Sequence, residues 1–200
     1  MAAERDFSDE LEEWLRGDTP KTVGALGHEF GERGFAVTIL LLMFVPALPL
    51  PTGGITHVFE LITIILALQM VLGRRTIWLP RRFKDRELGA SITEKAVPFI
   101  SRRIRWFERF SKPRLAGLFR RRWFIRVLGL VIIVFTAGAI VAPPFSGLDT
   151  LPALGVVIIC LSIILGDVVV LGVGAVIGTG GVVLIITIGA AIAHFLRDHI

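Results

Sequence analysis

Residues 35–72 are apolar almost throughout, but prolines and glycines interrupt them near the middle. Proline fixes its own φ, removes a backbone donor and disfavours helical geometry at the preceding residue, so the interruption cannot be regular helix. In lipid, non-helical backbone needs cover from protein or from a water-filled cavity, so we expect a buried break between two apolar helices. The interrupting residues are Pro46, Pro49, Pro51, Gly53 and Gly54.

A second apolar stretch, residues 127–165, repeats this arrangement. Pro143 and Pro144 interrupt it, a short polar turn follows, and the apolar pattern resumes at Leu151. Proline-broken apolar segments at corresponding places of two halves are typical of repeat-built transporters, whose binding site lies at the repeat interface. The arms of each unit could form a re-entrant loop or a compressed hairpin, and the sequence leaves both alternatives open.

The last apolar segment, residues 167–196, is rich in glycine. Gly174 and Gly178 lie four residues apart, a spacing that favours close packing of helices. A nucleotide-binding loop is not expected here, because the glycine spacing differs from GxGxxG and no strand precedes it. The glycines between Gly178 and Gly181 could also divide the segment into two arms.

The composition agrees with a membrane protein. Hydrophobic residues make up 54% of the 200 residues and the mean hydropathy is +0.73, above the range of ordinary soluble domains. We predict an all-α integral membrane protein with two proline-broken helical units, re-entrant or hairpin, in pseudo-repeat. The predicted divisions are acidic amphipathic helices (1–33), the first broken unit (34–73), a basic amphipathic cytoplasmic segment (74–126), and the second broken unit with glycine-rich terminal membrane helices (127–200).

The charges are concentrated in two segments. Residues 1–33 carry nine acids and four bases, whereas residues 74–126 carry 17 bases and four acids. The positive-inside rule places the basic segment in the cytoplasm and explains its charge without nucleic acid. An amphipathic helix in this segment is expected to lie among lipid headgroups, with contacts to anionic lipid as its first role and a partner-protein site as the alternative. Its lipid-facing bases are Arg102, Arg103, Arg105 and Arg109.

No arrangement of residues indicates an enzyme, a metal site or a cofactor. Cys160 is the single cysteine, and the four histidines have no ligand spacing. No Ser-His-Asp or Cys-His set is readable either. We therefore expect a noncatalytic protein.

A few polar residues within the apolar stretches are the candidates for a membrane polar site. Charge is costly in the bilayer, so such residues usually face a cavity or a partner. Glu60 follows His57 by three residues, which allows the two to share a helix face and a proton. Asp167 and Gln69 complete the candidate set. The structural alternatives are a position near the membrane surface for Glu60 and a helix N-cap for Asp167.

Three motifs along the chain are specific enough to compare with a known family: VPALPLPTGG at 45–54, LALQMVLGRRTIWLPRRF at 66–83 and APPFSGLDTLPALG at 142–155. In these motifs the chain resembles the exopolysaccharide-synthesis ExoD family of bacterial membrane proteins. Asp167 matches an acidic position of the family, whereas Glu60 stands where the family more often has glycine. The resemblance implies an inner-membrane protein linked to exopolysaccharide production, and it implies no particular molecular activity.

Two hypotheses follow from these observations. In the first, the protein is transporter-like and moves a lipid or another substrate through a site between the two broken units. In the second, it is a membrane scaffold that uses the basic segment to hold polysaccharide-synthesis proteins or anionic lipid. The paired breaks favour the first hypothesis, and the scarcity of intramembrane polar residues favours the second. Either is compatible with a homo-oligomer.

Overall fold

The computed structural model describes residues 23–48, 55–74, 77–78, 115–119, 121–142 and 146–199, together with Glu13, Arg16 and Gly17. These residues form helices and turns, and no strand occurs among them. The helices are α1 (Val23–Phe44), α2 (Ile55–Val71), α3 (Ala116–Phe119), α4 (Arg122–Val141), α5 (Thr150–Leu165) and α6 (Val168–His199).

Four of these helices close a ring. α1 contacts α2 and α5, and α4 contacts the same two helices. The core of the ring is filled by apolar side chains from all four helices, of which Phe35, Ile39, Leu66, Ile132 and Ile159 are fully buried. The four-residue helix α3 contacts the start of α4.

The long helix α6 packs outside the ring, mainly against α5 and also against α4. α5 and α6 are antiparallel, because Gly155 lies against Gly178, and Pro152, nearer the start of α5, lies against Gly181. A Cβ added at Gly155 would lie only 2.5 Å from Gly178 Cα, so the two backbones are in direct contact. This confirms that the glycines serve close helix packing.

Proline sets two of the helix boundaries at one end of the ring. Ala142, which precedes Pro143, has an extended backbone (φ −60°, ψ 137°) and ends α4. Pro152 is tolerated inside α5 because it lies in the first turn, where its missing N–H has no intrahelical partner to lose. At the end of α1, a turn with an Ala47 N–H to Met43 carbonyl bond (3.0 Å) surrounds the buried Pro46.

The other end of the ring shows the same helix terminus twice. Gly73 ends α2 with φ 72°, and Gly166 ends α5 with φ 65°, a conformation that glycine adopts without steric cost. The next residue then donates a hydrogen bond to the carbonyl five residues earlier. These bonds join Arg74 to Gln69 (3.0 Å) and Asp167 to Ser162 (3.2 Å).

Two boundaries differ from those predicted. α1 runs without interruption from Val23 to Phe44, so the division drawn between residues 33 and 34 falls inside a helix. α6 is one continuous helix of 32 residues, so the division between Gly178 and Gly181 that the sequence left open does not occur. By length and composition, α4 and the Val168–Ala191 part of α6 could cross a membrane.

A candidate polar site inside the helix ring

Glu60, near the start of α2, is the buried centre of the candidate site. Its side chain has no exposed surface, and its Oε2 lies 2.8 Å from Nδ1 of His57, one turn earlier on the same helix. The His57 side chain keeps 41% of its surface exposed. The predicted sharing of a face is therefore confirmed, and it joins a partly exposed imidazole to a buried carboxyl group.

Three oxygen atoms near this level of the ring have no hydrogen-bond partner among the described residues. They are Oε1 of Glu60 and the hydroxyl oxygens of Thr63 and Thr136. Hydroxyls in helices commonly bond a carbonyl of their own helix, and Thr38 and Ser162 do so here at 2.8 Å and 2.7 Å. Thr63 and Thr136 depart from that habit although both are fully buried.

The packing of α2 against α4 locates these atoms relative to one another. A Cβ added at Gly129 would lie 3.0 Å from the Ala67 carbonyl oxygen and 3.1 Å from Met70 Cβ. Arg126, one turn earlier on α4, reaches Gly73, beyond Met70 on α2. Residues nearer the start of α4 thus contact residues nearer the end of α2, so the two helices are antiparallel.

The register between α2 and α4 can be followed two helical turns further, to positions that carry polar residues. Seven residues return a helix to nearly the same face and advance it by about 10 Å. Glu60 lies seven residues before Ala67 and Thr63 seven before Met70, while Thr136 lies seven after Gly129. Because the helices are antiparallel, these shifts run in the same direction. This register places Glu60, Thr63 and Thr136 near one level of the packing between α2 and α4, and we call them the polar layer.

Asp149, which precedes α5, also lies at this end of the ring. It is close enough for its charge to act on Glu60, and its side chain makes no capping hydrogen bond to α5. The polar layer thus lies at the end of the ring where both proline-containing connections, after α1 and after α4, are located.

Gln69 lies nine residues from Glu60 on α2, about 13 Å along the helix. Its amide donates to the Trp78 carbonyl oxygen (2.8 Å) and accepts from the Trp78 N–H (2.6 Å). The Gln69 side chain therefore satisfies both backbone polar groups of Trp78, and it holds Trp78 against the end of α2. The structure does not bring Gln69 together with Glu60.

Asp167 lies at the far end of α5 from Asp149, about 24 Å away along a 16-residue helix. It is buried, and its Oδ1 accepts a hydrogen bond from the Val169 N–H at 2.8 Å. This is N-cap geometry at the start of α6, the structural alternative for this residue. A further role of Asp167 in a polar site stays a prediction, and such a site would be separate from Glu60.

Of the remaining predicted residues, one lies within the described part of the chain and the others lie outside it. Pro46 is buried, as expected for the first break. The other break and headgroup residues lie outside the described residues, so their predicted roles stay predictions: Pro49, Pro51, Pro143, Pro144, Arg102, Arg103, Arg105 and Arg109. Sequence reasoning missed Thr63 and Thr136, because a threonine in an apolar helix usually bonds its own backbone and gives no separate signal.

A family comparison and a comparison with single proteins both match the chain to ExoD. The family described as "Exopolysaccharide synthesis, ExoD" matches residues 7–187. Protein ExoD of Rhizobium meliloti is 32% identical over 177 residues, which cover 82% of this chain and 70% of that protein. An uncharacterized protein of Synechocystis sp. is 26% identical over 133 residues, covering 64% of this chain and 59% of the relative, less than two thirds of its length. No solved structure matches the chain significantly.

Proposed function

The chain belongs to the exopolysaccharide synthesis ExoD family, and from that premise we propose that it is a noncatalytic, multi-pass inner-membrane protein that moves a lipid or saccharide substrate of exopolysaccharide synthesis or export. The observation that carries the proposal is the polar layer, a fully buried carboxyl group beside two hydroxyls that bond nothing in the described chain. Buried polar groups without partners are rare in folded proteins, and in membrane proteins they mark substrate or ion pathways.

The distribution of polarity across the ring supports a membrane location. Apolar side chains form exposed stripes at helical spacing, while polar side chains such as Thr38, Gln69 and Ser162 are buried. A soluble bundle would show polar outer faces, whereas lipid requires apolar ones. The exposed stripes are Val58, Leu61, Ile65 and Leu68 on α2, Trp123, Val127, Leu130 and Val134 on α4, and Val169, Val173, Val176 and Val183 on α6.

Helix lengths favour hairpins over re-entrant loops. α4 has 20 residues, about 30 Å, which equals the thickness of the hydrocarbon core. The register between α2 and α4 sets Ile55, at the start of α2, level with the last residues of α4. α2, with 17 residues or about 26 Å, covers most of the depth of α4, and we propose that it also crosses. Among the described helices, we propose that α1, α2, α4, α5 and α6 cross the membrane.

Charge and aromatic residues support the orientation. The 17 bases of residues 74–126 would be cytoplasmic under the positive-inside rule. Trp78 and Trp123 are exposed at this end of the ring, where indole rings commonly anchor at the membrane surface. The end that contains His57 and Asp149 would then face the periplasm.

An internal pseudo-repeat accounts for the ring. One half is α1 and α2, and the other is α4 and α5. In each half, a helix that ends near proline is followed by a helix that ends in a left-handed glycine, and α1 and α4 both contact α2 and α5. The two glycine termini share the sequence Leu-x3-Leu-Gly, at Leu68–Gly73 and Leu161–Gly166. Repeat-built transporters place their sites between the halves, and the polar layer lies between α2 of one half and α4 of the other.

The test compares exopolysaccharide output from variants expressed equally in a strain that lacks the native protein. Glu60→Gln should reduce output by about tenfold or more, because it removes the charge that the proposed site uses. Thr63→Val and Thr136→Val should reduce output less. Asp167→Asn tests the other candidate: asparagine keeps the N-cap acceptor, so near-normal output would indicate a capping role alone, whereas reduced output would support the predicted polar role of Asp167.

The scaffold hypothesis makes the opposite prediction. It is favoured by the basic segment, and it requires that replacing Arg102, Arg103 and Arg105 together abolishes output while Glu60→Gln has no effect. In the translocation account the arginine variant has the smaller effect, because each headgroup contact is worth only about 1 kcal/mol and the bases are numerous. A silent Glu60→Gln variant together with an inactive arginine variant would overturn the proposed function.

A further inference from the structure

We propose that Glu60 binds a proton reversibly and that His57 carries this proton between the solvent and the buried carboxyl group. The inference rests on the proposed function and names a proton as the ligand of the polar layer. It is based on three features of the described chain: a contact between two titratable groups, a step in burial between them, and the unpartnered oxygens behind them.

The contact and the step in burial provide the route. His57 Nδ1 lies 2.8 Å from Glu60 Oε2, a distance for direct proton transfer. The imidazole is 41% exposed and the carboxyl group 0% exposed. Imidazole has a second nitrogen, Nε2, on the opposite side of the ring from Nδ1. One ring can thus exchange a proton with water at one nitrogen and with Glu60 at the other.

The transfer balances as follows. A hydronium ion transfers a proton to Nε2 and becomes water, and the ring becomes an imidazolium. The Nδ1–H bond breaks as an O–H bond forms on Oε2 of Glu60, which leaves a neutral imidazole and a neutral carboxylic acid. Release is the reverse: Oε2 returns its proton to Nδ1, and Nε2 gives one to water. No redox partner is required.

The surroundings of Glu60 favour a proton as its ligand. A buried carboxylate whose Oε1 accepts no hydrogen bond is costly, and neutralisation removes that cost. Among described residues, the charged group facing Glu60 besides His57 is Asp149, whose negative charge opposes a second one nearby. The charged residues of α1 and α4 that come nearest in sequence still lie away from it: Arg33 is about 16 Å from the end of α1, and Arg126 is beside Gly73.

A metal cation fits less well. Ca2+ and Mg2+ take about six to eight oxygen ligands. Here one carboxylate oxygen of Glu60 is already engaged by His57, and the polar layer offers only the other one and the hydroxyls of Thr63 and Thr136. The described residues also contain no group of three or more His, Cys, Asp or Glu side chains that could hold a metal.

The proposal is tested by infrared difference spectroscopy on the purified full chain in lipid, with no substrate present. Protonation of a carboxylate produces a carbonyl stretch that shifts when the acid proton is replaced by deuterium. We expect a band that appears as the pH is lowered, is absent in Glu60→Gln and persists in Asp149→Asn. In His57→Gln the band should remain, but its exchange in D2O should be slower by about 100-fold, the lower end of what a positioned proton-transfer group contributes.

Each result bears on the proposal independently of transport. A band of unchanged amplitude in Glu60→Gln would overturn proton binding at Glu60, and wild-type exchange in His57→Gln would overturn the relay. Should Glu60→Gln fail to fold, as judged by circular dichroism, the exchange measurement on His57→Gln decides. Loss of the band on adding NaCl or MgCl2, but not choline chloride, at fixed pH would assign the site to a metal cation. Because no substrate is used, these measurements do not depend on whether the protein moves a substrate.

Discussion

Gln69 shows how a single buried side chain organises the segment that follows a helix. Its amide satisfies both backbone polar groups of Trp78 at 2.8 Å and 2.6 Å. Because a side-chain amide carries one acceptor and two donors, it can pair with a backbone unit in this way, whereas a hydrocarbon side chain cannot. Gln69 therefore stabilises the position of Trp78, which we propose as an anchor at the cytoplasmic membrane surface.

We expect Gln69→Leu to lower the stability of the protein in detergent by about 1–3 kcal/mol, because it leaves two partly buried backbone groups of Trp78 without partners. For a chain of this size, each kcal/mol corresponds to a change in melting temperature of about 2–4 °C. The matched control is Ser162→Ala, since Ser162 precedes the equivalent glycine terminus of α5 and its hydroxyl bonds only the Ile159 carbonyl of its own helix. Equal melting temperatures for the two variants would contradict a stabilising role for the hydrogen bonds between Gln69 and the Trp78 backbone.

At this scale the sequence predicts some residues well and others not at all. Charge inside an apolar stretch is conspicuous, so Glu60 and its neighbour His57 could be identified together. Gln69 was identified as a polar residue in an apolar arm, but its partner nine residues away depends on a turn at Gly73 that the pattern does not specify. Thr136 could not be found, because its place opposite Glu60 depends on the register between two helices distant in sequence.

Among the helices, α5 and α6 show how backbone contact replaces side-chain packing. Gly155 meets Gly178, and a Cβ added at Gly178 would lie 2.0 Å from the ring of Phe135 on α4. Glycine brings α6 close enough to touch two helices at once, which is the expected use of small residues between membrane helices. Gly180, two residues further along α6, has no atom within 4 Å of an added Cβ.

This difference gives a prediction with an internal control. Gly155→Ala should destabilise the protein by about 1–3 kcal/mol, because the added methyl group forces the backbones of α5 and α6 apart. Gly180→Ala should leave stability unchanged or raise it by about 1 kcal/mol, since alanine is the better helix former and the site is open. Thermal unfolding in detergent compares the two. A Gly180→Ala variant as unstable as Gly155→Ala would show that glycine content, rather than the contact, determines stability.

Helix positions were largely predictable from the sequence, because prolines and apolar runs mark them directly. The ends were less so. The acidic and apolar parts of α1 differ in composition, but a change of composition does not require a break, and the helix continues through it. In α6, the glycines left open a division of the segment, but the helix is continuous, and contact with α5 stabilises the helical backbone that glycine alone would weaken.

At the scale of the whole molecule, four described helices form a ring and one long helix packs outside it, and we propose that these helices cross the inner membrane. The two broken segments were recognisable as a pair from the sequence, but the closure of the ring was not, since nothing in a linear pattern specifies that α1 packs on α5. Both proline-containing connections lie at one end of the ring, near Glu60. The basic residues around Arg74 and Arg121 lie at the other end.

The central claim is that these two ends face opposite sides of the membrane, and single-cysteine labelling tests it most directly. In a Cys160→Ala background, which removes the single buried thiol, cysteines replace Leu48 and Ser146 at one end and Arg74 and Arg121 at the other. All four positions are exposed. A membrane-impermeant thiol reagent added to spheroplasts should label Leu48→Cys and Ser146→Cys, and should label Arg74→Cys and Arg121→Cys only after the membrane is permeabilised. Labelling of all four positions in intact spheroplasts would contradict the account.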